Sequence, residues 1–275
     1  MAHMNSQPLA GRTVAVPEAR ELEVFAALLE RRGAQVLRCP LVAIRDAPDP
    51  APVLGFVRQF ISEPFDDLIL TTGEGLRRIL ACIERHEPAL QEGFRAALAR
   101  VRKVTRGPKP ARALRELGLK PDLPADPPTT AGIIATLTGE PLAGRRVALQ
   151  LYGTDPNTTL TGFLEGAGAK VTRVAPYVYA DAADDAAVRS LLASLGAGAV
   201  DAMAFTSSAQ VERLFAVAPA EEVQVALAHT LVAAVGPVVA ETLKRHGIEA
   251  QLMPEGSFFL KPLTAALEDA LRGER

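Results

Sequence analysis

Residues 9–16 read LAGRTVAV and residues 142–149 read LAGRRVAL, so the same opening occurs twice in one chain. Further matching segments follow each opening in the same order, at offsets between 129 and 135 residues. They are residues 33–38 with 168–173, residues 65–72 with 200–207, and residues 107–118 with 236–247. Ordered self-similarity at one long period is the sequence signature of a repeated structural unit. The chain is therefore predicted to contain an internal duplication.

Each half alternates short apolar segments with amphipathic ones. In the first half we expect a strand at 13–17, a helix at 21–32, a strand at 35–44 and a short strand near 120–123. Strands that alternate with helices in this way form parallel sheets with helices on both faces. The predicted fold class is α/β, with two similar doubly wound parallel-sheet domains.

The amino-acid composition argues against two classes of binding partner, nucleic acids and membranes. The chain has 275 residues, a net charge of −2 and 48% hydrophobic residues, which is ordinary for a folded protein of two domains. The near-neutral charge, 5% aromatic content and lack of Trp argue against a nucleic-acid partner. The most apolar stretch, residues 223–239, is too polar to span a bilayer, so no membrane partner is expected. The N-terminus has no signal-peptide pattern, which favours a cytoplasmic location.

Cysteine and histidine positions predict no metal site. Cys39 and Cys82 lie far apart without CxxC spacing, which is typical of buried thiols in a reduced compartment. The four histidines have no partner at metal-ligand spacing. His3, which stands in Ala-His-Met ahead of Met4, is interpreted as an expression-vector remnant.

Hydroxyl-bearing residues follow two of the predicted strands, where each strand turns into a helix. Ligands of parallel sheets bind beyond the carboxyl ends of the strands, and helix N-termini favour anions. These residues are therefore candidates for an anion site, although plain helix capping by Ser and Thr explains them equally well. They are Thr71, Thr72, Thr206, Ser207 and Ser208.

A basic run extends from Arg100 to Arg115 without an acidic residue. Such a run is most often a solvated helix face. Arg106 and Lys109, however, flank Gly107 at a predicted strand-to-helix turn, where they are placed to bind a polyanion. Both interpretations stay open at this point.

Three segments carry a resemblance to a known family. Residues 201–209 (DAMAFTSSA), residues 235–237 (VGP) and residues 171–179, which include Pro176-Tyr177, are similar in order and spacing to motifs of the uroporphyrinogen-III synthase family. Each motif is short and degenerate, but the resemblance covers essentially the whole chain from about Leu9. The sequence is therefore identified as resembling that family, as a divergent member.

The resemblance implies a particular domain organisation. Two α/β domains would be joined by a two-strand linker at residues 39–47 and 174–182. One domain would be discontinuous, formed by residues 9–41 and 178–275, and the other would comprise residues 46–174. The substrate would bind in a cleft between the two lobes of a monomer.

The resemblance also implies an activity. The family closes the linear tetrapyrrole hydroxymethylbilane to uroporphyrinogen III with inversion of the last ring, a lyase reaction that uses no metal or cofactor. Tyr177 matches the family's important tyrosine and would assist departure of the substrate hydroxyl; a half-buried strand residue is the other interpretation. The substrate-binding residues implied are Thr71, Thr72, Gly73, Arg106, Gly107, Lys109, Tyr152, Thr154, Thr206, Ser207, Ser208, Gly236 and Pro237.

Three positions depart from the family pattern. Val16-Pro17-Glu18 stands where the family often has Thr-Arg after its first strand, and Pro110 and Val239 stand where it often has threonines. The missing hydroxyls keep open a non-catalytic tetrapyrrole- or anion-binding paralogue on the same fold. An unrelated two-lobe small-molecule binder is a further alternative.

Overall fold

The computed structural model describes residues 7–181 and 183–272, and the chain divides into two compact units. The composite unit combines the chain up to Ala43 with the chain from Ala180 onward, and the central unit runs from Ile44 to Tyr179. His3 and Met4 lie outside the described residues, as does Ala182 at the end of the second expected linker strand.

Strands and helices alternate along the whole described chain. The first segment contains β1 (Thr13–Val16), α1 (Leu22–Glu30), β2 (Gln35–Arg38) and β3 (Val42–Asp46). The middle segment contains α2 (Ala51–Ser62), β4 (Asp67–Leu70), α3 (Gly73–His86), α4 (Gln91–Arg100), β5 (Arg102–Thr105), α5 (Pro108–Arg115), β6 (Leu123–Pro124), α6 (Thr130–Leu137), β7 (Arg146–Gln150), α7 (Thr158–Gly166), β8 (Lys170–Val174) and β9 (Tyr177–Asp181). The last segment contains α8 (Asp185–Gly196), β10 (Ala202–Phe205), α9 (Ser208–Val217), α10 (Ala220–Leu227), β11 (Leu231–Ala234), α11 (Pro237–Arg245) and α12 (Leu260–Leu271).

Each unit is built on a parallel sheet. In the composite unit the strand order is β11-β10-β1-β2, and Leu252 adds a bridge to Ala233 beyond β11. In the central unit the order is β6-β5-β4-β7-β8. A separate two-stranded sheet pairs β3 with β9, where the chain passes from one unit to the other.

The two sheets share one topology. Strands β10, β11, β1 and β2 of the composite unit occupy the same places as β4, β5, β7 and β8 of the central unit. The pairs of sequence repeats fall on these corresponding strands. The predicted α/β fold of two similar parallel-sheet units from an internal duplication, joined by a strand pair, is confirmed.

The central sheet is covered on both faces. On β4, Leu68 and Leu70 pack into one apolar cluster with Phe60 and Phe94. Ile69, between them, packs into a second cluster on the other face. Because successive strand residues point to opposite faces, three consecutive buried apolar residues require helices on both sides, which is the doubly wound arrangement.

Two of the expected strands have different bounds. The segment predicted as one strand at 35–44 is two strands, β2 and β3, because Pro40 has no N–H for a sheet hydrogen bond. The short strand expected near 120–123 is β6, at Leu123–Pro124, the edge strand of the central sheet, where a proline is tolerated. None of the helices in the two described segments is both long and apolar enough to cross a membrane.

Candidate functional site

The carboxyl edge of the central sheet gathers the most distinctive side chains of this unit. Because β4, β5 and β7 are parallel, the residues that follow them meet at one edge. Thr71 and Thr72 follow β4, Arg106 follows β5, and Tyr152 lies two residues beyond β7.

All three tyrosines of the chain lie together at this edge. The ring of Tyr179 stacks at a tilt on Tyr152, with 5.2 Å between ring centroids, and its edge contacts Tyr177 at 5.6 Å. Tyr177 is fully buried, and its hydroxyl lies 3.2 Å from Oγ1 of Thr72. Three phenols that share one water-poor site form a cluster of hydrogen-bond donors, which we call the tyrosine cluster.

Burial holds Tyr177 and Tyr179 in their neutral forms. It raises the pKa of Tyr177 to about 12, although hydrogen bonds with Thr72, the Gly153 backbone and Tyr179 lower it. Burial also raises the pKa of Tyr179 well above its usual value, and its interactions with the other two tyrosines raise it too. Both phenols therefore carry their protons at neutral pH.

Arg106 brings a positive charge to the tyrosine cluster. Its guanidinium carbon lies 5.4 Å from the centre of the Tyr152 ring, within cation–π range. Within the described residues, no carboxylate lies at ion-pair distance from this half-buried side chain. Burial lowers the pKa of the guanidinium, and the tyrosine hydroxyls and Asp155 partly offset this. The arginine nevertheless keeps its charge at neutral pH, so the edge presents an unneutralised cation.

Arg102 and Lys103, from the same basic run, differ from Arg106 because each has an acidic partner. It donates to Asp67 at 2.5 Å and to Glu140 at 2.5 Å, and Lys103 lies 3.0 Å from Asp122. These side chains are structural ion pairs. Neither side chain lies on a solvated helix face, since both belong to strand β5 and Lys103 is buried.

Thr72 is held by the neighbouring strand. It is the N-cap of α3, where Oγ1 accepts from Gly75 N–H at 3.0 Å. Its own N–H donates to Oε1 of Gln150 at 3.0 Å, and Gln150, the last residue of β7, is fully buried. Thr71 donates from Oγ1 to the Gln150 carbonyl at 2.9 Å. Both threonines of this turn are thus tied to Gln150.

Glycines shape the turn before α5. Gly107 is the N-cap and has φ +109°, and a Cβ there would overlap the ring of Pro128. Gly73 begins α3 and passes close to the Lys109 carbonyl, where a Cβ would lie 2.6 Å from the oxygen. The Lys109 side chain and Thr154 are exposed near the same edge.

The matching edge of the composite unit has different chemistry. Oγ1 of Thr206 forms a short hydrogen bond with the carboxylate of Glu18, and Ser207 forms a capping box with Gln210. Ser208 is buried and accepts from Thr242 Oγ1 at 2.8 Å. These hydroxyls have internal partners, as the helix-capping interpretation expects. The remaining predicted residues of this edge begin α11: Gly236 is its N-cap and Pro237 its first residue.

The duplication serves as an internal comparison of the two edges. The position that corresponds to Arg106 is Val235, in the aligned turns before α5 and α11. The strands β9 and β3 align residue for residue, so Tyr177 corresponds to Val42 and Tyr179 to Ile44. The repeated fold forms with Val235, Val42 and Ile44 at these positions, so the arginine and tyrosine side chains are not required by the architecture.

Comparison with known proteins gives a family match over most of the chain. Residues 23–259 match the family model described as Uroporphyrinogen-III synthase HemD. The chain belongs to the uroporphyrinogen-III synthase family. The predicted resemblance is thereby confirmed over most of the chain.

Solved synthase structures share the fold. A mutant uroporphyrinogen III synthase of Thermus thermophilus is 31% identical, matches 96% of this chain and 100% of its own, and has a TM-score of 0.78. The wild-type form of that synthase is 32% identical over 95% of this chain and 98% of its own, with a TM-score of 0.60. A Bacillus subtilis (strain 168) protein named "Uncharacterized protein YjjA" is 32% identical over 252 residues, which are 90% of this chain and 92% of that protein.

Departures from the synthase pattern are also visible in the structure. Pro110 and Val239, at the positions where the family often has threonines, are both buried. Glu18 accepts backbone hydrogen bonds from Ala19 and Arg20, each at 3.0 Å, and so closes the turn after β1. Among the described residues, no group of three metal-binding side chains comes together.

Gln150 is the residue of this edge that the sequence did not indicate. A glutamine at the end of an apolar strand carries no motif. One signal was present: the third helical position after Thr72 is a glycine, whereas the corresponding position after Ser207 is Gln210.

Proposed function

We propose that this chain is an active uroporphyrinogen-III synthase, a lyase that cyclises hydroxymethylbilane to uroporphyrinogen III with inversion of the last ring. The observation that carries the proposal is the fully buried Tyr177 hydroxyl, hydrogen-bonded to Thr72 and set in a tyrosine cluster beside the unneutralised charge of Arg106. A neutral phenol can donate the proton that a departing hydroxyl takes up, and a fixed cation can pair with a substrate carboxylate.

Tyr177 would act as the proton donor. The hydroxymethyl C–O bond of the substrate breaks, the phenol proton passes to the departing oxygen, and water leaves. The lone pair of the pyrrole nitrogen supplies the electrons, and loss of the pyrrole N–H proton, which restores the phenol, gives a neutral azafulvene. With a pKa raised to about 12, Tyr177 is fully protonated at neutral pH and so carries the required proton.

The steps that follow need orientation more than acid or base. The substituted carbon of the last pyrrole attacks the azafulvene and gives a spiro intermediate. One carbon–carbon bond of this intermediate then breaks, and the ring recloses in the inverted sense with loss of a proton. Holding the reacting ends in one conformation can contribute several kcal/mol, about 7–11 in well-oriented cases.

Arg106 would bind one of the substrate carboxylates. Guanidinium and carboxylate groups match in a two-point hydrogen-bonding geometry. The arginine is already stripped of part of its water, with no protein carboxylate at ion-pair distance among the described residues, so a substrate carboxylate meets a cation free to pair. The other predicted contacts at the two edges stay predictions.

A non-catalytic tetrapyrrole- or anion-binding role is the second candidate. It is favoured by buried Pro110 and Val239, which carry no hydroxyl, and by the carboxylate of Glu18 at the composite unit's edge. The domain limits expected from the family (residues 9–41 with 178–275, and 46–174), a monomeric state and a cytoplasmic location also stay predictions.

A coupled assay separates the two candidates. Porphobilinogen deaminase generates hydroxymethylbilane in the presence of this protein, and the oxidised products are resolved into isomers I and III. We expect predominantly isomer III, with a loss of about 100-fold or more in Tyr177→Phe. Isomer I alone, at the rate seen without the protein, rejects the synthase; retained binding of the bilane would then support the second candidate.

A further inference from the structure

The side-chain amide of Gln150 accepts the hydrogen bond that Gln210 accepts in the composite unit, although Gln150 lies on a strand and Gln210 on a helix. In the composite unit, Gln210 sits at the third position of α9 and its Oε1 accepts from the N–H of Ser207, the N-cap, at 3.2 Å. In the central unit the third helical position is Gly75, and the amide that accepts from the N-cap Thr72 belongs to Gln150 on β7. The same hydrogen bond is thus made by a strand residue instead of a helix residue.

The two arrangements exclude each other sterically, because a side chain at the third helical position and the Gln150 amide would occupy the same space. A Cβ built on Gly75 would overlap the side-chain amide of Gln150. The fold tolerates the helix-borne glutamine in one unit, so the strand-borne version in the other is not needed for capping alone. What distinguishes the central unit is that its N-cap residue also contacts a tyrosine hydroxyl.

Protonation of the phenol decides which hydroxyl donates. While Tyr177 is neutral, either hydroxyl of the Thr72–Tyr177 pair can be the donor across the 3.2 Å contact. Oγ1 of Thr72 accepts from Gly75 N–H, and its single proton can go to the Tyr177 oxygen or to Oε1 of Gln150 at 3.5 Å. Once Tyr177 has given up its proton its oxygen can only accept, so Thr72 must then be the donor of the hydrogen bond between them.

We infer that Gln150 and Thr72 are positioning residues for Tyr177: Gln150 fixes Thr72, whose hydroxyl lies 3.2 Å from the Tyr177 oxygen and donates to it when the phenol proton passes to the departing hydroxyl of the substrate. This inference rests on the proposed function for its catalytic consequence. The donation from Thr72 to the phenolate is itself independent of turnover and can be followed by titration.

The test uses the fact that the chain has only three tyrosines, all in the cluster. Growth on 3,5-difluorotyrosine makes the phenols more acidic, so that Tyr177 titrates at a less alkaline pH, and fluorine NMR follows each ring, with Tyr177 assigned from Tyr177→Phe. We compare Thr72→Val, Thr72→Ser and the wild type. Thr129→Val is the matched control, because Thr129 caps α6 through the same 3.0 Å bond to a glycine N–H, that of Gly132, and has no phenol partner in the structure.

We expect Thr72→Val to raise the pKa of Tyr177 by about one unit, since a donor to the phenolate is lost. Thr72→Ser should restore the wild-type titration, and Thr129→Val should not change it. In the coupled assay, Thr72→Val should lower kcat about tenfold with little change in KM. A Tyr177 titration that is unchanged in Thr72→Val, or shifted equally in Thr129→Val, overturns the inference.

Gln150→Leu provides a second arm in case Thr72→Val does not fold. Gln210→Leu removes the corresponding amide in the composite unit and is its control in the titration. Only Gln150→Leu should shift Tyr177; equal titrations in the two variants also overturn the inference. If the wild type forms no isomer III, the proposed function fails, while the titrations still decide whether Thr72 donates to Tyr177.

Discussion

The side-chain amide of Gln150 occupies the space that a Cβ atom on Gly75 would need. Any side chain at Gly75 would overlap the buried amide of Gln150, which accepts the N–H of Thr72 at 3.0 Å. The glycine therefore does not serve flexibility. It makes room for a side chain from the neighbouring strand, and the pair should behave as one energetic unit.

Substitution of Gly75 should reveal that coupling. Gly75→Ala should lower the free energy of unfolding by about 1–3 kcal/mol, because overpacking outweighs the helix propensity that alanine gains. Gly55→Ala is the matched control: Gly55 lies in α2 with open space around it, so alanine there should stabilise by up to about 1 kcal/mol. Urea unfolding measures both. A Gly75→Ala protein as stable as Gly55→Ala would contradict the steric argument. Measured in a Gln150→Ala background, Gly75→Ala should cost little, because the overlapping amide is gone.

Arg106 should matter for substrate affinity more than for stability. Arg106→Gln should raise KM about tenfold or more, since a charge-assisted hydrogen bond to a carboxylate is lost. It should not lower the free energy of unfolding, because burial of an arginine without an ion pair does not favour the folded state. Arg95→Gln, at an exposed position of α4, is the control and should leave both quantities unchanged. Lower stability with an unaltered KM would show that Arg106 is a structural residue.

Asp46 should make stability depend on pH. Its pKa is lowered by Arg85 first, and by Arg78, which donates to the carboxylate at 2.8 Å. A carboxyl whose folded pKa is depressed adds stability that is complete above its unfolded pKa, about 4, and lost as pH falls through the folded value. Asp46→Asn should therefore be less stable than the wild type at pH 7, and the gap should close below about pH 4. Stability curves that stay parallel between pH 7 and pH 2 would argue against this ion pair.

The two cysteines should be unreactive in the folded protein. Burial raises the pKa of the Cys39 thiol to about 12 and also raises that of Cys82. The thiolate is the reacting species, so a disulfide reagent at pH 8 should modify neither thiol quickly until urea unfolds the chain, when two should react. Fast native modification of Cys39 would mean that the segment between β2 and β3 opens locally.

The sequence predicted the architecture well because a duplication repeats every signal. The pairing of β1 with β2 and of β7 with β8 follows from the same ordered blocks. Strand ends were less predictable: the break at Pro40 depends on one missing N–H inside an apolar stretch.

The candidate site was predictable only where a residue carries its own signal. Arg106 and Tyr177 were indicated by a turn and by a family motif. Gln150 was not, because its role depends on the register that sets it opposite Leu70 in the neighbouring strand. The stacking of Tyr152 on Tyr179 likewise depends on how separate loops meet in space. Contacts between residues that are distant in the chain cannot be predicted from a local sequence pattern.

The confinement of every tyrosine to one edge, in a chain without tryptophan, has an optical consequence. Ultraviolet emission excited near 280 nm must originate almost entirely from that edge. The unlabelled protein thus carries a spectroscopic probe at its candidate site, and any molecule that stacks on, quenches or displaces those rings will register in the emission without a change to the chain.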